Sequence, residues 1–231
     1  MVNINLETNP YFKDEMKNIG FKKAKNEFVK AYKDALQMIV WGHATHGEKQ
    51  TRYYSCSCMI EYPVVSEIAE QFYVIVHPIG THMGIIMQKK GFVEWELKPS
   101  FSENKIMEVI HGIVLNTAKY VVPKLDQLST LSGFIEALEL GELKKWSIDQ
   151  KIPPIIYRLL GHEDKAQDYV EKTLKKLREH KEPEEPEYRA NKDYVQATYQ
   201  SPGNRNLEIY NEFACKFNNN LSLPYMTNYS L

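Results

Sequence analysis

The sequence predicts an α+β fold: an N-terminal helix, a mostly antiparallel sheet of about five to seven strands, and a helical C-terminal half packed on the sheet. Three observations carry this. Residues 36–45 and 53–62 alternate in side-chain character on either side of a polar loop, as two paired strands do. The further strand-like runs are joined by short connections, which favours antiparallel pairing. Beyond Pro99 the apolar spacing changes from two residues to the helical period.

In chain order, residues 8–19 read as a helix. Thr8 or Asn9 is placed to cap it, Pro10 suits the first turn, Phe12, Met16 and Ile19 form the apolar stripe, and Gly20 stops it. Short strands are expected at 21–24 and 27–33, with turns at Lys25-Asn26 and Asp34-Ala35. Lys22, Lys23, Lys25, Lys30 and Lys33 suit an exposed sheet edge.

The long hairpin follows. Leu36, Met38, Val40 and Ala44 form one face of its first strand, and Gln37, Ile39, Trp41, His43 and Thr45 the other. In the second strand Tyr54, Cys56, Cys58, Ile60 and Tyr62 oppose Tyr53, Ser55, Ser57, Met59 and Glu61. Matching the more apolar faces, Leu36 to Ala44 with Tyr54 to Tyr62, puts His43 opposite Tyr53 or Ser55. Trp41, His43, Thr45, Tyr53, Ser55 and Ser57 then share an aromatic and hydroxyl surface suited to contact, with Trp41, His43, Tyr53 and Ser55 as the expected binding residues.

Residues 64–71 fit either a helical turn or a strand extension. Strands are expected at 72–77, 84–88 and 92–97, with 78–83 as loop. Ser100 and Glu103 make a capping-box pattern ahead of an apolar helix that stops or kinks at Pro123. Helices follow at 130–140, from Pro153-Pro154 to Gly161, and at 163–179, where Ala166, Tyr169, Val170, Thr173, Leu174 and Leu177 share a face. The expected organisation is an α+β domain over 1–180, a Pro- and Glu-rich linker over 181–203, and a C-terminal helix and tail over 204–231. That last helix aligns Leu207, Tyr210, Phe213, Ala214 and Phe217, a face that docks on its own domain or on a second copy.

Length and composition set limits on function. At 231 residues the chain buries a core without disulfides or metal. With 29 basic and 30 acidic residues it lacks the charge of a dedicated nucleic-acid binder. Three cysteines, with Cys56 and Cys58 two apart on one strand, read as free thiols of a reducing compartment. There is no signal-peptide pattern at the N-terminus and no apolar run of membrane-spanning length, so a cytosolic setting without membrane contact is expected.

Motifs that carry chemistry are weak. His43 and His46 lie three apart, which on a strand directs them to opposite faces unless the strand ends at Thr45; with His77 and His82 they make up the metal-dependent-enzyme alternative. Ser102 and Lys105 have the spacing of some acyl-transfer enzymes, but a serine at a helix start is read as a cap. Phosphate loop, nucleophile elbow and dinucleotide fingerprint are all missing, so no catalytic residue, metal or cofactor is assigned.

Gly20-Phe21-Lys22-Lys23, Asn26, Phe28, Gln37, the strand 53–62, Val93-Glu94-Trp95 and the helical run 159–177 together resemble the bacterial domain of unknown function 4304 family, over about residues 8–180. The resemblance implies an α+β fold and a bacterial cytosolic setting, and carries over no catalytic residue. The functional expectation is a non-catalytic protein-interaction module, immunity-like or regulatory, with contact through Trp41, His43, Tyr53 and Ser55 and with possible self-association through the C-terminal helix. The alternatives are the histidine-based metal enzyme and a small-ligand-binding protein with a closed pocket between sheet and helices.

Overall fold

The structure is a computed structural model that describes residues 3–45, 50–88, 93–179 and 202–219. The loop positions 46–49, His46 among them, and the expected linker up to residue 201 lie outside the described residues. The rest divides into two compact units, one drawn from Met1–Ser66 and His77–Asp149, the other from Glu67–Val76 and Gln150–Leu231.

The first unit is α+β. Helix α1 (Pro10–Asn18) starts at Asn9, whose side-chain oxygen accepts from the Phe12 N–H. Strands β1 (Lys22–Ala24), β2 (Glu27–Tyr32), β3 (Ala35–Thr45) and β4 (Arg52–Glu61) then form an antiparallel meander. Helix α2 (Pro63–Gln71) leaves β4. Strand β5 (Ile79–His82) and strand β6 (Trp95–Leu97) both return to the free side of β4, against Ser57–Ile60 and Arg52–Tyr54 respectively. Among the described residues six strands result, all antiparallel. Beyond β5, Gly80 and Ser147 exchange two backbone hydrogen bonds of 3.0 and 2.7 Å.

The hairpin forms where expected, but its register differs. His43 pairs with Tyr54, Trp41 with Cys56 and Ile39 with Cys58. The inward face of β3 is therefore Ala35, Gln37, Ile39 and Trp41, not Leu36, Met38, Val40 and Ala44. Bulk and pairing explain the reversal. Trp41 meets Phe12 and Trp95 edge-on, with ring centroids 5.7 and 5.6 Å apart, and Phe28 packs beside them on Phe12 at 5.3 Å. Gln37, polar and 0% exposed, is accepted because its amide donates to Asp126 (2.6 Å) and to Ser129 (2.8 Å). Lys30, beside it on β2, bonds the same Asp126 oxygen at 2.9 Å.

Helices cover this inward face. Helix α4 (Glu103–Asn116) is capped by Ser102, as the sequence reads that serine, its side chain accepting from the Lys105 N–H; the expected Ser100–Glu103 box is not the cap. It widens into a π turn at Thr117–Val121 and continues as α5 (Val122–Leu128). Pro123 has no N–H to give the Lys119 carbonyl, and the wide turn carries the chain past it without a stop. Helix α6 (Leu131–Glu139) is capped by Thr130 and packs Phe134 on Tyr62, whose hydroxyl donates to the Leu128 carbonyl.

Between 72 and 88 the expected strands are absent. Residues 72–78 are turn and coil, the strand is Ile79–His82, and 84–88 is replaced by the helical turn α3 (Met83–Ile86). In the expected strand at 92–97 only Trp95–Leu97 pairs among the described residues. Apolar, β-branched character made these runs look alike; the free edge of β4 and Ser147 decide which one is paired.

The second unit holds α7 (Ile152–Leu159), α8 (Glu163–Glu179) and α9 (Pro202–Asn219). The amphipathic face of α8 is as read, with Ala166, Val170 and Thr173 buried. On α9, Tyr210, Phe213, Ala214 and Phe217 are buried, and Phe213 and Phe217 meet Phe72 of the same unit. The face considered for self-association is thus occupied within its own chain. Arg158, 6% exposed, binds both Glu163 oxygens (2.8 and 2.5 Å), donates to the Phe217 carbonyl (2.7 Å) and lies 3.5 Å over the Phe217 ring. It thereby satisfies an end carbonyl of α9 that has no partner within the helix.

Arg158→Met keeps the stem but removes those donors, and Glu163 is exposed enough to rehydrate, so a loss of about 2 kcal/mol is expected rather than the full cost of a severed buried pair. Hydrogen exchange read over residues 205–219 checks it: protection should fall there first, and unchanged protection would contradict the clamp.

Candidate functional site

The reversed face of β3 separates the four residues expected to share a surface. Trp41 belongs to the core. His43 shares its face, is exposed, and lies 5.3 Å from the Tyr54 ring. Tyr53 and Ser55 pair with Ala44 and Gly42 and so project from the other side of the sheet. There Tyr53 donates its hydroxyl proton to Glu96 at 2.9 Å, directly across the strand pair. The common surface of Trp41, His43, Tyr53 and Ser55 does not exist, because successive strand residues alternate and the register differs by one from expectation.

His43 instead lines a cleft of about 510 Å³ at the loop end of the hairpin, with Thr45, Gln50 and Arg52 from the hairpin and Asn3, Ile4 and Asn5 from the N-terminal segment. The Tyr54 hydroxyl joins these two walls. It accepts from the Leu6 N–H (3.3 Å) and from Arg52 Nη1 (3.2 Å), and donates to the Ile4 carbonyl (3.0 Å). A phenol offers one proton and two lone pairs, so all of its capacity is used. The N-terminal wall is itself a closed turn. The Asn3 side chain accepts from the Asn5 N–H, that of Asn5 from the Glu7 N–H, and Asn9 donates to the Asn3 carbonyl at 2.7 Å.

The other candidates do not converge with His43. His82 pairs with Ser57, on the opposite side of the sheet from His43, Tyr54 and Cys56. His77 is exposed, and its N–H donates to Asp149 at 3.2 Å. Among the described residues no group of three or more His, Cys, Asp or Glu side chains is placed to hold a metal ion. Cys56 and Cys58 both point into the core, as read from the sequence, with sulfurs 3.7 Å apart and no disulfide. Burial pushes the Cys56 thiol well up, and its hydrogen bond with Cys58 pushes it further the same way. Cys215 is exposed.

Sequence reasoning put His43 and Thr45 on one face but did not bring their other cleft neighbours to them. Arg52 is identifiable as a cleft residue only once Thr45↔Arg52 is known as the last hairpin pair. Asn3 and Asn5 are brought in by a hydroxyl about fifty positions away, for which no local pattern exists.

No family model matches the chain, and neither a curated protein nor a solved structure is matched by it. The resemblance to the domain of unknown function 4304 family rests on the motifs alone. Among the described residues no helix is long and apolar enough to cross a membrane.

Two outcomes are expected. Tyr54→Phe strands the Ile4 carbonyl and the Leu6 N–H, costing about 1–3 kcal/mol, and should raise hydrogen exchange over residues 3–9 above the change elsewhere. In native protein at pH 8, a thiol reagent should modify Cys215 rapidly and Cys56 and Cys58 only after unfolding, so one fast equivalent of three is expected.

Proposed function

We propose that this protein is a non-catalytic protein-interaction module, of the regulatory or immunity kind, with its contact surface centred on Tyr73 and Ile75. The observation that supports this reading is how α2 ends. Two hydrogen bonds close it, Tyr73 N–H to the Glu70 carbonyl (2.9 Å) and Val74 N–H to the Ala69 carbonyl (3.1 Å). The same pair of bonds closes α1, α6 and α7. There the left-handed position is filled by Gly20, Gly141 and Gly161, with φ of +92°, +72° and +77°. On α2 it is filled by Tyr73, at φ +55°.

A side chain in that conformation costs about 1–2 kcal/mol, which glycine would avoid. Burial does not offset the cost, because Tyr73 is 89% exposed. Lys216 lies 5.4 Å from the ring, a contact worth only about 0.5–1 kcal/mol at an exposed site. Two positions on, Ile75 is 77% exposed, and these are the two most exposed large apolar side chains among the described residues. Strain kept at an exposed aromatic, next to an exposed aliphatic, favours a role in contact. Tyrosine is also among the residues enriched where proteins meet.

The reading separates stability from binding. Tyr73→Gly should raise the unfolding free energy by about 1 kcal/mol, while the double variant Tyr73→Gly, Ile75→Ser loses partners that the unaltered chain captures from a lysate of its source cells. Partners captured equally by the well-folded double variant would remove this surface from the proposal.

A further inference from the structure

We propose that the cleft between the N-terminal turn and the end of the β3–β4 hairpin binds a small organic anion through a carboxylate or phosphate group. The site is independent of the surface around Tyr73, and its own geometry carries the assignment. Its lining is rich in hydrogen-bond donors. The guanidinium of Arg52 has five N–H groups and among the described residues gives one of its nitrogens to Tyr54, leaving the rest of its fork to the cleft. The Asn5 side chain spends its oxygen on the Glu7 N–H, so the part left for a ligand is its NH₂ group. Thr45 and Gln50 add a hydroxyl and an amide, and the exposed imidazole of His43 has no polar partner among the described residues. Among the described residues none that lines the cleft is acidic.

Two further features separate this cleft from an ordinary surface hollow. Its donors are held in place: the buried Tyr54 hydroxyl ties Arg52 and the 4–6 segment to one point, and the turn around Asn3 and Asn5 is closed by its own hydrogen bonds. A site whose groups are fixed before binding loses less entropy when a ligand arrives. Its size, about 510 Å³, matches a metabolite rather than a lone ion. A planar carboxylate and a tetrahedral phosphate both suit an arginine fork flanked by neutral donors, so the class recognised is the oxyanion.

The test is a titration of the full chain, followed by amide chemical shifts at constant ionic strength, with inorganic phosphate in one arm and citrate in the other. Chloride at matched ionic strength is the control. Saturable shifts at residues 5, 43, 45 and 52 are expected, with Kd on the order of 1 mM for two or three charge-assisted bonds. Arg52→Gln should weaken binding by about tenfold or more. His43→Gln, at an exposed position, leaves the fold intact and should weaken it about two- to fivefold. Saturation in the phosphate arm alone identifies phosphorylated ligands, and in the citrate arm alone carboxylates. Shifts that stay linear in both arms, follow chloride equally, or are unchanged in the folded Arg52→Gln and His43→Gln variants would overturn the proposal.

Discussion

Gln37 is the polar side chain around which the first unit is arranged. Its place on the inward face of β3 is tolerable only because Asp126 and Ser129 meet its amide. Those two residues reach it because α5 presents the right side to the sheet, and α5 does so after the π turn at Thr117–Val121. One extra residue in a helical turn rotates everything after it by about 100°. Pro123 and the wide turn therefore have a structural purpose: they aim Asp126. With Lys30 on the same carboxylate, two neighbouring strands and a helix about ninety residues away meet at one oxygen, and a competing register of β3 would leave that oxygen facing Leu36 or Met38.

That arrangement also decides what the hairpin can present. Once Ile39 and Trp41 turn inward, His43 follows them onto the same side and emerges only where the helices end. Tyr54, its partner across the ladder, is fully buried, and the three bonds of its hydroxyl shape the cleft. The second unit follows a similar rule with different chemistry. A buried cation, Arg158, is matched by a carboxylate, a helix-end carbonyl and an aromatic face, so each of its three nitrogens meets an acceptor.

Much of this was legible in the sequence, and the exceptions have physical causes. Asn9 and Thr130 as helix starts, Gly20, Gly141 and Gly161 as stops, and the buried face of α8 follow from local rules that do not need the rest of the chain. The inward direction of Cys56 and Cys58 was equally plain, since Ser55, Ser57 and Glu61 are poor alternatives. The face of β3 was not, because Leu36, Met38 and Val40 outweigh Gln37 and His43 on any scale of single residues, and the balance is reversed by distant partners, Asp126 and Ser129 for Gln37 and Phe12 and Trp95 for Trp41. The run 72–77 misled for a related reason: β propensity describes willingness to pair, and Tyr73 and Val74 are committed to closing a helix instead. Of the expected contact residues only His43 lines the cleft, whose other wall arrives through tertiary bonds alone.

The Gly80–Ser147 exchange has a consequence for the protein in crowded solution. A sheet grows by recruiting strands onto unpaired backbone, and here both ends discourage recruitment. At β5 the outward groups of Gly80 are already taken by Ser147. At the opposite end β1 is only three residues long and carries Lys22 and Lys23, so an incoming strand meets charge and little ladder to extend. Edge-to-edge assembly is thereby discouraged at β1 and at Gly80 of β5, which points to clefts, faces and exposed helix ends as places where a partner molecule can be met.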